Sequence, residues 1–285
     1  MWFRKRPDGP KNFAPRAYAK LVERVTKALE SLEVGAPLPE SLFTSSVWSA
    51  HKARFEVALG KGKCGFCERY RDLERECQLD HFRPKKAVSS FAATPDCTSP
   101  TRPAIQREGV GYWWLAYTWA NLVLVCPGCN GAKSSLFPVK ARCAMREAAS
   151  IDGEGPYLLD PHDDTLAELE HFRWTISGAM EPMARRSRAE WTIVVCDLNR
   201  EGLVHDRSKR MTELRKAYEH YKRALESVIE SRRRNGGVAA EHDVIALDQR
   251  EADVRSLGSV ESEFTGLARW TVARWCKEDS LSFEW

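Results

Sequence analysis

The chain has 285 residues and a formal charge of only +4. That length can bury one large or two modest cores, and that charge gives no global basic field announcing nucleic acid. No apolar run approaches the length of a spanning helix, Met1-Trp2-Phe3-Arg4-Lys5-Arg6-Pro7 lacks the apolar core of a signal peptide, and nine cysteines with metal-ligand spacings suit a reducing cytosol better than a secreted disulfide scaffold. A cytoplasmic protein with no membrane partner is therefore expected.

Residues 1–12 are basic and broken by proline, which predicts a loose segment. From Ala14 to about Glu33, the residues Leu21, Val22, Val25, Ala28 and Leu29 recur at helical spacing, and Val34-Gly35-Ala36-Pro37 stops that helix. Residues 41–60 predict a second helix, with Phe43, Val47, Trp48, Ala50 and Phe55 apolar. Residues 1–60 thus read as an N-terminal helical region.

The most informative stretch comes next. Cys64-Gly65-Phe66-Cys67 and Cys126-Pro127-Gly128-Cys129 have the ligand number and local spacing of a structural zinc site. Redox pairs or buried small residues are the plain alternative. Cys97, Cys143, Cys196 and Cys276 read as core residues, and Cys77 lies near the first pair. Leu79-Asp80-His81-Phe82 predicts a strand or strand end. Asp80 is a hard oxygen ligand for Mg²⁺ or Mn²⁺, and a neutral His81 can take a proton from water near pH 7. Neighbouring strand residues face opposite ways, so both can serve one site only where the strand twists or ends.

Arg83, Lys85 and Lys86 follow the histidine, where positive charge can hold a phosphate, although a solvated charge run looks the same. Residues 89–106 predict a loop rich in Ser, Thr, Pro and Ala. Tyr112, Trp113, Trp114, Tyr117 and Trp119 fit the packing of an insertion better than base stacking. Asn121 opens Leu122-Val123-Leu124-Val125, a predicted strand into the second cysteine pair, and its amide can bridge backbone groups of the His81 loop. Asn130 and Lys133 lie about one turn apart if a helix begins there, offering a carbonyl oxygen and a cation that can meet phosphate.

After Leu136-Phe137-Pro138 the chain carries Leu158-Leu159-Asp160-Pro161 and then Asp163-Asp164, which suits a turn or cap as well as a metal. Residues 171–178 predict a strand and turn. Trp191, Ile193, Val194, Val195 and Leu198 make a short apolar element. Arg200 to Arg234 predicts a long helix with a core stripe from Leu203 to Val228 and a basic face, including Arg207, that suits nucleic-acid backbone or plain solvation equally. Asn235-Gly236-Gly237 ends it. Residues 238–258 lean acidic, and 262–276 predict a last helix, apolar enough to dock on the body or on a partner.

Asp80-His81, Asn121 and Asn130, interleaved with the two cysteine pairs, resemble the HNH endonucleases, the ββα-metal nucleases, in their four-cysteine subgroup. The resemblance implies an α+β fold, with a ββα-metal HNH core over residues 61–140, stapled by a four-cysteine zinc site and embedded in a mostly helical protein whose C-terminal region is 141–285. It implies His81 as general base, Asp80 and Asn130 as holders of a catalytic Mg²⁺ or Mn²⁺, and Asn121 as the residue orienting the His81 loop. The family's closing residue is His or Asn, and here it is Asn130, a known variant.

A narrower likeness rests on Cys67-Glu68, His81-Phe82-Arg83-Pro84-Lys85 and Tyr112-Trp113-Trp114-Leu115-Ala116-Tyr117, with Trp119 and Asn121-Leu122. It is to an HNH branch that includes the nuclease subunits of Septu-type and retron-associated antiphage defence systems. It continues through Leu158-Leu159-Asp160-Pro161 and Asp197-Leu198-Asn199-Arg200-Glu201. It implies hydrolysis of nucleic-acid phosphodiester bonds, with DNA favoured and tRNA the alternative, by an effector paired with an ABC-type ATPase. The sequence has no Gly-x-x-x-x-Gly-Lys-Ser/Thr loop, so ATP switching would come from another chain. The rival readings are a zinc-stapled module that binds nucleic acid or a partner without catalysis, and a structural assembly subunit. The first leaves Asp80, His81 and Asn130 unexplained.

Overall fold

The computed structural model describes residues 3–10, 13–34, 36–59, 62–70, 76–99, 101–140, 151–163 and 171–285. Among them the chain is α+β, with three two-stranded antiparallel ribbons set between helices. Gly35, Cys143 and Asp164 lie outside the described residues.

Of the segment expected to be loose, residues 3–10 are described, and they are tied down. Phe3 is buried, the Arg4 amide donates to Pro161 O at 2.9 Å, and the Arg6 guanidinium bonds the Leu122 carbonyl and the Asp160 carboxylate. These tertiary partners outweigh the proline breaks. Helix α1 (Pro15–Leu29) starts with proline in its first turn, where the missing N–H costs nothing, and buries Leu21 and Val25. The helix expected over 41–60 is interrupted: a 3₁₀ turn at Glu40–Leu42 precedes α2 (Ser46–Ser49) and α3 (Lys52–Leu59). The break falls at Ala50 and His51, and histidine is a weak helix former. Trp48 packs edge-on to His81, while Phe55 packs on Trp119 and His162.

There follow β1 (Gln78–His81), β2 (Ala87–Phe91), β3 (Ile105–Val110), β4 (Leu122–Val125) and α4 (Pro127–Lys133). Strands β1 and β4 pair antiparallel, with Asp80 opposite Val123 and His81 opposite Leu122. All four residues of β4 are buried, which explains an unbroken apolar run where a half-exposed strand would alternate. The chain then passes through Cys126 straight into α4.

The loop expected over 89–106 instead contributes to β2 and β3, which pair with an irregularity between Val88 and Ser89. Ser89 is fixed from afar: its amide donates to Ser135 O at 2.8 Å and its carbonyl accepts from Phe137 N at 2.9 Å. Tyr112, Trp113, Trp114 and Tyr117 are buried, so the aromatic run packs the insertion inward.

The C-terminal half holds β5 (Phe172–Trp174), β6 (Met180–Pro182), α5 (Arg188–Val195), α6 (Glu201–Arg234), α7 (Glu241–Leu257) and α8 (Thr265–Glu278). The short apolar element is thus a helix. Ser187 Oγ accepts from Glu190 N at 3.4 Å while the Glu190 carboxylate accepts from Arg186 N at 2.5 Å, close to a reciprocal capping box. Helix α6 buries Leu203, Arg207, Met211, Leu214, Tyr218, Tyr221 and Val228 at three- and four-residue spacing. Arg207 therefore belongs to the inward stripe and not to the basic face; it donates to Leu198 O at 2.6 Å. Helix α7 folds back along α6. The apolar last helix docks on the body, with Trp275 5.3 Å from the Tyr218 ring. Among the described residues no helix is long and apolar enough to cross a membrane.

Candidate metal centres and the His81 cleft

The four paired cysteines converge. Cys64 and Cys67 flank a tight turn in which Glu68 N donates to Cys64 O at 2.9 Å and Glu68 takes a left-handed φ of 61°. Cys126 caps α4, accepting from Cys129 N on its sulfur. All four thiols are buried with their sulfurs within 4.8 Å of one another, and Cys67 Sγ lies 3.8 Å from Cys126 Sγ. A tetrahedral zinc with Zn–S near 2.3 Å holds its sulfurs about 3.8 Å apart, so this donor set fits a metal such as zinc. Cys77 and Cys196 lie outside it, and burial pushes their thiols up to about 11 and about 12.

One cation beside this centre was not anticipated. Arg200 Nη1 is 3.5 Å from Cys129 Sγ, and Nη2 is 3.6 Å from both Cys126 Sγ and Cys129 Sγ. Burial alone would lower the guanidinium pKa, but Cys129 and Cys67 outweigh it and raise it. The sequence signal was Asp197-Leu198-Asn199-Arg200, a motif with no assigned role.

The second feature is a cleft of about 360 Å³ lined by Asp80, His81, Asn130, Lys85, Lys86 and Glu40, among others. Strand β1 ends at His81, which lets adjacent Asp80 and His81 reach one space. His81 is buried, and its Nε2 lies 2.8 Å from Ala116 O. A carbonyl only accepts, so Nε2 carries a proton and, in the neutral ring, Nδ1 has the lone pair. Nδ1 stands 3.9 Å from Asp80 Oδ1, beyond direct hydrogen bonding.

Burial alone would raise the Asp80 carboxyl, but Lys133 Nζ, 3.5 Å from Oδ2, and the neighbouring His81 hold it well below the usual carboxylate range. Asn130 Nδ2 donates to Gln78 Oε1, leaving Oδ1 as the acceptor end of that amide. Asn121 sits behind the cleft: its Oδ1 accepts from Arg83 N at 2.8 Å, and its Nδ2 donates to Arg83 O at 3.0 Å. It braces the turn after His81 from both sides.

The four cations expected to hold phosphate divide. Lys85 and Lys86 line the cleft, each paired with Glu40, at 3.2 and 2.9 Å. Lys133 is only 1% exposed and donates to His81 O at 2.8 Å, so its ammonium is committed inward. Arg83 turns away to Glu154 at 3.4 Å and lies over the Phe137 ring. Glu40, at the cleft mouth, carried no sequence signal.

Over 150 residues the chain is 32% identical to Septu protein PtuB of Bacillus mycoides (strain KBAB4), a stretch that is 52% of this chain and 46% of that protein. The matched region therefore spans about half the length of this relative. No family model and no solved structure matches the chain.

Proposed function

We propose that the chain is a metal-dependent HNH endonuclease that hydrolyses nucleic-acid phosphodiester bonds, DNA in preference to tRNA. It would be the cytoplasmic effector of an antiphage defence complex with an ABC-type ATPase. The observation that carries the chemistry is the anchored imidazole. With Nε2 tied to Ala116 O, the other ring nitrogen, Nδ1, lies 3.9 Å from the Asp80 carboxylate, and both residues line the cleft, an arrangement that suits a general base. His81 takes a proton from water at Nδ1, and Asp80, 3.9 Å away, stabilises the imidazolium that results. Lys85 and Lys86 attract the phosphate. Asn121 keeps the turn after His81 in place.

Asp80 and Asn130 offer two oxygens to one cleft, a donor set that suits Mg²⁺ or Mn²⁺, which keep several waters and take few protein ligands. Such an ion supplies neutralisation of the charge that develops on the phosphate. Zinc at the four cysteines is structural in this reading. The succession β1, β4, α4 supports an HNH core, because it sets two antiparallel strands and a short helix around the proposed residues. The defence role rests on the similarity to the Septu protein, and the ATPase on the resemblance of the sequence motifs to the Septu-type branch.

The test is cleavage of supercoiled plasmid and of total tRNA with Mg²⁺ or Mn²⁺, with and without the proposed ABC-type ATPase partner. Metal-dependent cleavage of plasmid is expected. Cleavage of tRNA alone would change the substrate, and no cleavage in any combination would reject the reading.

A further inference from the structure

The Asp197-Leu198-Asn199-Arg200 turn lies in a different part of the chain from the cysteines, yet it delivers a guanidinium onto them. Three sulfurs are within reach: Cys129 at 3.5 Å, Cys126 at 3.6 Å and Cys67 at 4.0 Å. Sulfur hydrogen bonds are long and weak singly, but a planar fork can engage several acceptors at once. The placement is built. Asp197 adopts a left-handed φ of 48°. Asn199 clamps Met180 through both amide atoms, each at 2.8 Å. Arg200 Nη1 also donates to Asp197 O at 2.9 Å, which fixes the plane of the fork. On the other side Gly128 leaves the space: a Cβ there would stand 3.1 Å from Arg200 Nη2.

We propose that Arg200 is an outer-sphere partner of the four-cysteine metal centre, donating to the thiolates, offsetting their charge and tying the metal to the start of α6. Four thiolates around a divalent ion leave a net charge of about −2, and a buried charge is costly unless it is paired and hydrogen-bonded. Groups that hydrogen-bond to metal ligands govern metal retention. This assignment gives the turn a chemical purpose. It rests on the cysteines holding a metal and not on the cleft being catalytic.

The experiment uses the full-length zinc-loaded protein, Arg200→Gln, Arg200→Lys and, as control for the turn alone, Asn199→Ala. A chromophoric chelator reports zinc withdrawal, and Co²⁺ replacement reports the sulfur-to-metal charge-transfer band. Arg200→Gln is expected to release zinc about 10- to 100-fold faster, Arg200→Lys at an intermediate rate, and Asn199→Ala, which loosens the turn but keeps the guanidinium, more slowly than Arg200→Gln and with an unmoved Co²⁺ band. The Co²⁺ band should move to longer wavelength in Arg200→Gln, because the sulfurs no longer share electron density with the guanidinium.

Equal release from Arg200→Gln and Asn199→Ala, with an unmoved Co²⁺ band, would make Arg200 a turn residue and overturn the proposal. Where Arg200→Gln does not fold, Arg200→Lys decides: parent release and an unmoved band overturn it. A parent protein that takes up no metal at the cysteines overturns the metal reading as well, whereas a metal-binding parent with unaffected variants overturns the Arg200 role alone.

Discussion

The imidazole of His81 gives its Nε2–H to the carbonyl oxygen of Ala116 at 2.8 Å. This bond runs from the end of β1 to the aromatic insertion, so the insertion sets the tautomer and tilt of the ring. Asn121 adds the second brace through both backbone groups of Arg83. Asn121→Ala leaves those groups without their partner and should cost about 1–3 kcal/mol. The expected outcome is a lower denaturant midpoint together with slower cleavage, measured on the same preparation.

Gly111 is a close-approach glycine. A Cβ there would lie 2.4 Å from Lys85 C and Lys86 N and 2.5 Å from Pro84 O. These are backbone atoms and cannot rotate aside. Gly111→Ala should therefore push the Lys85–Lys86 segment, destabilising by about 1–3 kcal/mol as overpacking does. A weaker salt-dependent binding of DNA, by gel shift or anisotropy, is expected to accompany the lower melting temperature.

The four-cysteine centre should carry folding energy, because a metal pocket is rarely preformed in the unfolded chain. Its first turn is also docked on distant residues: Lys63 Nζ donates to Ser262 O at 3.0 Å, and Gly266 N donates to the Glu68 carboxylate at 3.2 Å. Cys129→Ser, or exhaustive chelation, should remove the metal and melt this docking. Metal analysis and hydrogen exchange at 258–266 check it; unchanged protection there after metal loss would count against the coupling.

His162 predicts the acid response. Burial, helped by the nearby Arg6, pushes its pKa down to about 3, while an unfolded histidine titrates near 6.5. Below about pH 6.5 the unfolded chain binds a proton that the folded chain refuses, so stability is whole above that pH and falls as pH drops toward 3. Between pH 6.5 and 5 the loss from this group is about 2 kcal/mol. Denaturant titrations of the parent and His162→Gln should show a shallower pH slope in the variant.

The parts legible in sequence were those whose signal is local. The two Cys-x-x-Cys pairs carry their own spacing, Leu122-Val123-Leu124-Val125 declares a buried strand, and the long stripe from Leu203 to Val228 declares α6. The geometric demand on Asp80 and His81 was also visible, and the end of β1 at His81 meets it. What sequence hid depends on distant partners. Ser89 is held in strand by Ser135 and Phe137. Arg6 is ordered by Asp160. Arg83 and Lys133 looked like phosphate-binding cations, but Glu154 and the His81 carbonyl claim them. Arg200 lies 71 residues from the cysteine it approaches most closely, beyond any local pattern.

The most direct measurement is the Mg²⁺-dependent rate of plasmid nicking by the parent and by His81→Ala, with equal metal content at the cysteines and equal circular dichroism. Loss of a general base lowers the rate by about 10²- to 10⁴-fold, and that is the predicted result. A folded, metal-loaded His81→Ala protein that nicks at the parent rate would contradict the account.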